Sequence, residues 1–297
     1  MAIILANDGI DKSAQVALEA LGHSVDTSKY EGDALLAKLP QVDCIVIRSA
    51  TKMRAEQIAA GAKGNLKLII RAGVGIDNID VESALEHGVT VRNTPEASSN
   101  AVAEVAFAHM LALCHHLYAA NVTMRQGKWL KKEYEGTELM GKTLGLIGFG
   151  RIAKNLAHKA VAFGMNVIYT RRTDAPEEGF RQTSFDEVIE TSDFISLHTP
   201  SMGKPVLGKD EFARMKDGVF IVNTARGDLI DDDALLEALD SGKVAGAALD
   251  VFRVEPVTDE RLWSHGKISM TPHVGAATKE AQARIGDVIV DIVKEVL

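Results

Sequence analysis

Arg226, Glu255 and His273 each stand in a loop that the sequence places after a strand. Their side chains are suited to acid–base work beside a carbonyl. A guanidinium can hold a carboxylate and polarise the adjacent carbonyl. An imidazole titrates near neutral pH, so it can give or take a proton. A carboxylate bonded to that imidazole favours its protonated form and fixes the ring. A hydride transfer to a 2-keto acid needs these three groups. Spacing along the chain does not bring them together, so structural roles for Arg226 and His273 stay open at this point.

A hydride donor must also be held, and one stretch has the pattern for it. Leu144 to Ile147 is a short apolar run of the kind that forms a buried strand. Gly148-Phe-Gly150-Arg-Ile-Ala153 follows as a turn, and apolar residues then recur at helical spacing through Leu156, Ala160 and Phe163. Strand, glycine turn and helix in this order form the dinucleotide-binding arrangement. Gly148 permits the tight turn, and Gly150 lets backbone approach a pyrophosphate. The helix N-terminus offers free N–H groups to the phosphates. The bland alternative is a strand-to-helix turn that needs glycine only for packing. After the second strand of this region, Asn166 to Thr170, the pattern calls for an acidic residue to hold the ribose 2′-hydroxyl. Arg171 and Arg172 stand there instead. Guanidinium pairs with a 2′-phosphate where a carboxylate would repel it, which favours NADP(H). In the other reading both arginines face water and NAD(H) binds, with Asp174 as ribose partner.

The positioning elements alternate along the whole chain. Strands are expected at Ala2–Ala6, Asp43–Ile47, Leu66–Ile70 and Val89–Val91, with helices between them. This alternation predicts an α/β fold with doubly wound parallel sheets. Arg48 and Arg71 stand at two strand ends, where such sheets bind ligands, and suit a carboxylate or phosphate. Each could equally be a surface arginine in an ion pair. Gly73 and Gly75 flank Val74 in a turn whose N–H groups could form an anion nest. One long helical stretch is expected from Ser99 to about Ala120, with Val122 to Trp129 continuing helically. Its His109, His115 and His116 lack a suitably spaced acidic partner, so no metal site is read there.

The bulk properties narrow the function classes. The 297 residues suit two domains, and 46% apolar content supports sizeable cores. Net charge is 33 − 41 = −8, which disfavours non-specific binding to nucleic acid or an anionic membrane. Cys44 and Cys114 both lie in apolar surroundings and form no metal or redox pattern, which fits reduced thiols and a cytoplasmic protein. No run approaches the length of a membrane span, and the N-terminus lacks the basic region of a signal peptide. The cluster of Lys128, Lys131 and Lys132 reads as a solvated surface.

Five motifs in order carry a wider resemblance. They are Arg71-Ala-Gly-Val-Gly-Ile-Asp-Asn78, Gly148-Phe-Gly-Arg-Ile-Ala153, Asn223-Thr-Ala-Arg-Gly-Asp228, Ala248-Leu-Asp-Val-Phe-Arg-Val-Glu-Pro256 and Thr271-Pro-His-Val-Gly-Ala-Ala-Thr278. Together they make the chain resemble the D-isomer-specific 2-hydroxyacid dehydrogenases, over essentially its full length, and most nearly their phosphoglycerate dehydrogenase branch. The resemblance implies Arg226, Glu255 and His273 as catalytic arginine, orienting acid and proton donor. It implies cofactor contacts from Gly148, Gly150, Arg151, Ile152, Arg171, Arg172, Thr199, Thr224, Ala225, Asp250, Gly275 and Ala276. The backbone of Val74 and Gly75 would bind the substrate carboxylate, with Arg48 and Arg71 approaching a substrate phosphate. It also implies a Rossmann nucleotide domain over 94–276 and a flavodoxin-like substrate domain over 1–93 and 277–297, with a cleft between them. A homodimer through the Ser99 to Trp129 stretch is expected.

Three departures bear on function. Arg171 takes the place of the usual ribose-binding aspartate. The loop Thr94-Pro-Glu-Ala-Ser-Ser99 lacks the Gly-Asn pair common in phosphoglycerate dehydrogenases. Nothing after Leu297 corresponds to a serine-binding regulatory domain, so serine feedback of that kind is not expected. Phosphoglycerate oxidation, as in serine biosynthesis, is the leading expectation. Reduction of glyoxylate, hydroxypyruvate or another 2-keto acid is the alternative, and a dinucleotide-sensing corepressor is a third reading from another class.

Overall fold

The computed structural model describes residues 1–297. The chain divides into two compact units: Met1–Ser98 with Ala276–Leu297, and Ser99–Gly275. The first boundary lies five residues beyond the expected Asn93. Ala97 is buried in the first unit's core, and its carbonyl accepts from Arg284 Nε at 2.9 Å. The second boundary differs from expectation by one residue.

The first unit is built on five parallel strands: β1 (Ile3–Ala6), β2 (Ser24–Asp26), β3 (Cys44–Ile47), β4 (Leu68–Arg71) and β5 (Thr90–Asn93). Their order is β2-β1-β3-β4-β5, the flavodoxin-like arrangement, whose direction reverses between β1 and β3. All four residues of β3 are buried, as expected of a parallel strand covered on both faces. Helices α1 (Lys12–Ala20), α2 (Gly32–Lys38), α3 (Ala55–Ala62) and α4 (Val81–Glu86) connect the strands. The C-terminal helix, Lys279–Val296, returns to this unit. Its N-cap Thr278 accepts from Ala281 N, and Ile285, Ile289, Ile292 and Val293 pack into the core with Ile4, Val46 and Ile70. Gly286 lets it approach α1, because a Cβ there would lie 2.8 Å from Ala14 Cβ. The short β2 and α2 were not read from the sequence; β2 has no fully buried residue and α2 has one, Leu35.

The second unit opens with α5 (Ser99–Cys114) and α6 (Leu117–Arg125), two helices bent by 65° at their junction rather than one long helix. The break is stabilised from outside. Thr137 N donates to Cys114 O at 2.9 Å, and Gly136 passes so close to that carbonyl that a Cβ would come within 2.6 Å. His116 takes a left-handed conformation (φ 51°) there, and its ring bonds Glu135 O. Gly127, at φ 75°, ends α6 four residues before the expected Trp129. No single helix is long and apolar enough to cross a membrane.

Seven parallel strands follow, and β6 (Thr143–Ile147) leads through α7 (Arg151–Ala162) to β7 (Asn166–Thr170). The chain continues through β8 (Arg181–Gln182), α8 (Phe185–Thr191), β9 (Phe194–Leu197), α9 (Lys209–Arg214) and β10 (Val219–Asn223). It closes with α10 (Asp232–Ser241), β11 (Val244–Leu249), α11 (Glu260–Trp263) and β12 (Ile268–Met270). The sheet order is β12-β11-β10-β9-β6-β7-β8. Its direction reverses between β6 and β9, the point at which doubly wound sheets bind dinucleotides. Ile289→Ala should lower the unfolding free energy by about 3 kcal/mol, because it empties a fully packed site; chemical denaturation of the purified chain measures it.

Candidate active site

The second unit brings Arg226, Glu255 and His273 together. Arg226 follows β10 in a turn clamped by the buried Asn223, whose Oδ1 accepts from Ala225 N and whose Nδ2 donates to Arg226 O at 2.8 Å. Gly227 then lies against the 252–253 backbone; a Cβ there would fall 1.9 Å from Phe252 C. Glu255 Oε1 accepts from Phe252 N, while its Oε2 lies 2.8 Å from His273 Nδ1. Burial works against the Glu255 charge, but His273, the Phe252 N–H and the nearby Arg226 outweigh it and hold the carboxyl below its ordinary range. A carboxylate facing Nδ1 assigns the hydrogen to that nitrogen and leaves Nε2 for exchange with a substrate.

At the dinucleotide turn, Gly148 has φ 90° and sits where a Cβ would lie 2.6 Å from His198 O, so the ends of β6 and β9 meet through glycine alone. Gly150 caps α7, and a Cβ there would meet nothing within 4 Å. Open space therefore faces the helix N-terminus, with Arg151 exposed in the first turn and Ile152 half-buried behind it. His198 bonds Ser196 Oγ, and burial pushes its pKa down to about 4.

Residues 107–275 match the family model described as "D-isomer specific 2-hydroxyacid dehydrogenase, NAD binding domain". A hydroxypyruvate reductase of Thermotoga maritima is 48% identical over 295 residues, which is 96% of this chain and 95% of that protein. The chain belongs to the D-isomer-specific 2-hydroxyacid dehydrogenase family. A D-3-phosphoglycerate dehydrogenase of Methanocaldococcus jannaschii is 41% identical across 100% of this chain, which spans 58% of that protein's length. The crystal structure of a glyoxylate reductase from Paecilomyes thermophila superposes with a TM-score of 0.89 at 34% identity, covering 99% of this chain and 94% of that one. As a 2-hydroxyacid dehydrogenase, the protein is a nicotinamide-dependent oxidoreductase acting on CH–OH groups.

The residues present fit such a cofactor. Three buried polar atoms near the β6, β7, β9 and β10 ends have no partner inside the protein: Arg171 Nε, Thr199 Oγ1 and Thr224 Oγ1. Buried polar atoms are seldom left so, and these three lie on loops at the ligand-binding edge of the sheet. The Arg171 guanidinium lies 5.7 Å from the centre of the Tyr169 ring, which Phe149 stacks at 3.8 Å. Arg172 is exposed.

Other expected contact residues are engaged within the protein. The buried Asp250 accepts from Thr271 Oγ1, Val274 N and Gly275 N, so its carboxylate and the Gly275 N–H hold the loop that carries His273. Ala276 belongs to the first unit, and its carbonyl accepts from Gln282 Nε2. In the first unit, Arg48 is half-buried; its backbone N–H donates to Asp8 and its guanidinium bonds Gln282 Oε1. Burial lowers the Arg48 pKa, with the Asp8 charge opposing. The Arg71 guanidinium folds over Gly73 and donates to Ala72 O. The N–H groups of Val74 and Gly75 make no hydrogen bond within the chain, while Val74 O accepts from Asn93. Asn223 was missed by sequence reasoning, although Asn two residues before a bonded N–H is the signature of an Asx turn.

Two contrasts test this geometry. Gly150→Ala should leave the melting temperature unchanged yet weaken dinucleotide binding measured by fluorescence titration, whereas Gly148→Ala should cost more than about 1 kcal/mol of stability. The depressed Glu255 pKa makes its bond to His273 stabilising above the ordinary carboxyl value of 4.5. That contribution disappears as pH falls through the lowered value. The stability gap between wild type and Glu255→Gln should therefore shrink on acidification, as followed by denaturant titration.

Proposed function

We propose that this dehydrogenase reduces a short, unphosphorylated 2-keto acid of the hydroxypyruvate and glyoxylate class, with His273 as the proton donor. The contact of His273 Nδ1 with Glu255 at 2.8 Å carries the catalytic reading. Arg226 holds the substrate carboxylate and polarises the C2 carbonyl. The nicotinamide, when bound, supplies the hydride. His273 delivers the proton from Nε2 to the carbonyl oxygen, and Glu255 keeps the ring oriented and stabilises its charged form. In the first unit, the N–H groups of Val74 and Gly75 offer a carboxylate-binding turn.

The choice of an unphosphorylated substrate is supported by Arg48, whose guanidinium is already bonded to Gln282, and by the 48%-identical relative named hydroxypyruvate reductase. Phosphoglycerate oxidation is the second reading, favoured by Arg48 and Arg71 ending the paired strands β3 and β4, where Ile47 lies opposite Arg71. A panel of hydroxypyruvate, glyoxylate and 3-phosphohydroxypyruvate separates them. The proposal expects the highest kcat/KM with an unphosphorylated acid and equal KM effects of Arg48→Ala on all three. A KM rise confined to the phosphorylated acid would favour the second reading. His273→Ala should lower kcat by about 10²–10⁴-fold.

NADP(H) is the proposed cofactor, supported by Arg171 and Arg172 after β7. NADPH should outperform NADH, and Arg171→Asp should move the ratio toward NADH by about tenfold or more, since it replaces a phosphate-pairing charge with a repelling one. We place the enzyme in the cytoplasm on its two buried, reduced cysteines. A homodimer is supported by α6, none of whose residues is buried, and by the exposed Leu117, Tyr118, Met124 and Trp129. Light scattering should return twice the chain mass for the wild type and a lower mass for Tyr118→Asp.

A further inference from the structure

We infer that His109 is a positioning residue for the proton-donating loop, acting through Thr271 and Asp250; this rests on the reading of His273 as the acid. His109 is buried on α5, and its ring bridges two hydroxyl groups. Nδ1 is 3.0 Å from Ser269 Oγ, and Nε2 is 2.9 Å from Thr271 Oγ1. The single hydroxyl proton of Thr271 goes to Asp250 Oδ1, 2.6 Å away. Toward His109, Thr271 can therefore only accept, so Nε2 carries the ring hydrogen. Burial lowers the His109 pKa, with Asp250 opposing, which favours the neutral ring. Nδ1 is then an acceptor, and Ser269 is its donor. One assignment of protons satisfies every member of the chain Ser269, His109, Thr271, Asp250.

The chain ends on the carboxylate that also accepts from Val274 N at 2.8 Å and Gly275 N at 2.9 Å, the two N–H groups that follow His273. His273 itself has φ 53°, which a histidine side chain disfavours, so its loop must be held by its surroundings. Its N–H donates to Thr271 O at 3.0 Å. Thr271 thus grips the loop twice, by its carbonyl directly and by its hydroxyl through Asp250. His109 fixes that hydroxyl. A leucine would fill the same volume without burying two polar nitrogens, so the polar function of the ring is what the site uses.

Steady-state kinetics with hydroxypyruvate and saturating cofactor test the inference. His109→Leu should lower kcat about tenfold, as expected for a misplaced acid, while KM changes less than about twofold. His109→Gln, which can return an N–H near the Nε2 position, should recover kcat to within about threefold of wild type. Thr271→Val should reproduce the loss, and the double variant His109→Leu/Thr271→Val should lose no more than either single one. Wild-type kcat in His109→Leu, equal impairment of His109→Gln, or multiplying losses in the double variant would overturn it. Should His109→Leu fail to fold, His109→Asn, whose amide lies near Nδ1 and cannot reach Thr271, is read by the same criteria. His273→Ala separates the two levels: full activity there overturns the acid assignment itself, whereas its loss alongside an unimpaired His109→Leu overturns only the role of His109.

Discussion

The bond between Glu255 and His273 is the constraint on which the geometry of the candidate site in the second unit depends. It joins two loops 18 residues apart, both exposed enough to meet a substrate and both anchored from behind. Phe252 N fixes one carboxylate oxygen and the imidazole fixes the other, so the acid cannot turn away without losing both. Arg226 reaches the same neighbourhood because Gly227 allows the backbone after β10 to touch that after β11. The candidate site is therefore assembled by close backbone approaches at the C-terminal edge of a parallel sheet.

The same edge explains the dinucleotide turn. Gly148 and Gly150 resemble each other in sequence but do different physical work. Gly148 faces protein, namely the His198 carbonyl, whereas Gly150 faces open space at a helix N-terminus. Aromatic stacking of Phe149 on Tyr169 then stiffens the base on which Arg171 rests.

Much of this was legible in the sequence because the signals are local. Apolar runs such as Cys44–Ile47 and Phe194–Leu197 become fully buried strands, and the glycine turn announces itself within ten residues. Arg226, Glu255 and His273 were legible as residue types after strands, and only the family resemblance joined them before the fold did. What escaped is non-local. The break at His116 depends on Gly136 and Thr137 closing over the Cys114 carbonyl, and nothing in the helical periodicity announces it. Arg48 looked available at its strand end, yet its partner Gln282 lies 234 residues away. The bonds that Asp250 accepts from Thr271 Oγ1, Val274 N and Gly275 N are likewise defined only by the folded loop.

The return of the last helix to the first unit has a consequence for how the molecule is made. Ile285, Ile289, Val290, Ile292 and Val293 complete a core whose other buried members lie before residue 98. During synthesis, the first unit's sheet must wait with one apolar face uncovered until residues 279–296 emerge. The inserted unit, contiguous from Ser99 to Gly275, can meanwhile reach its fold without them. The segment before Ser99 thus stays dependent on residues it meets only after the whole inserted unit has been made.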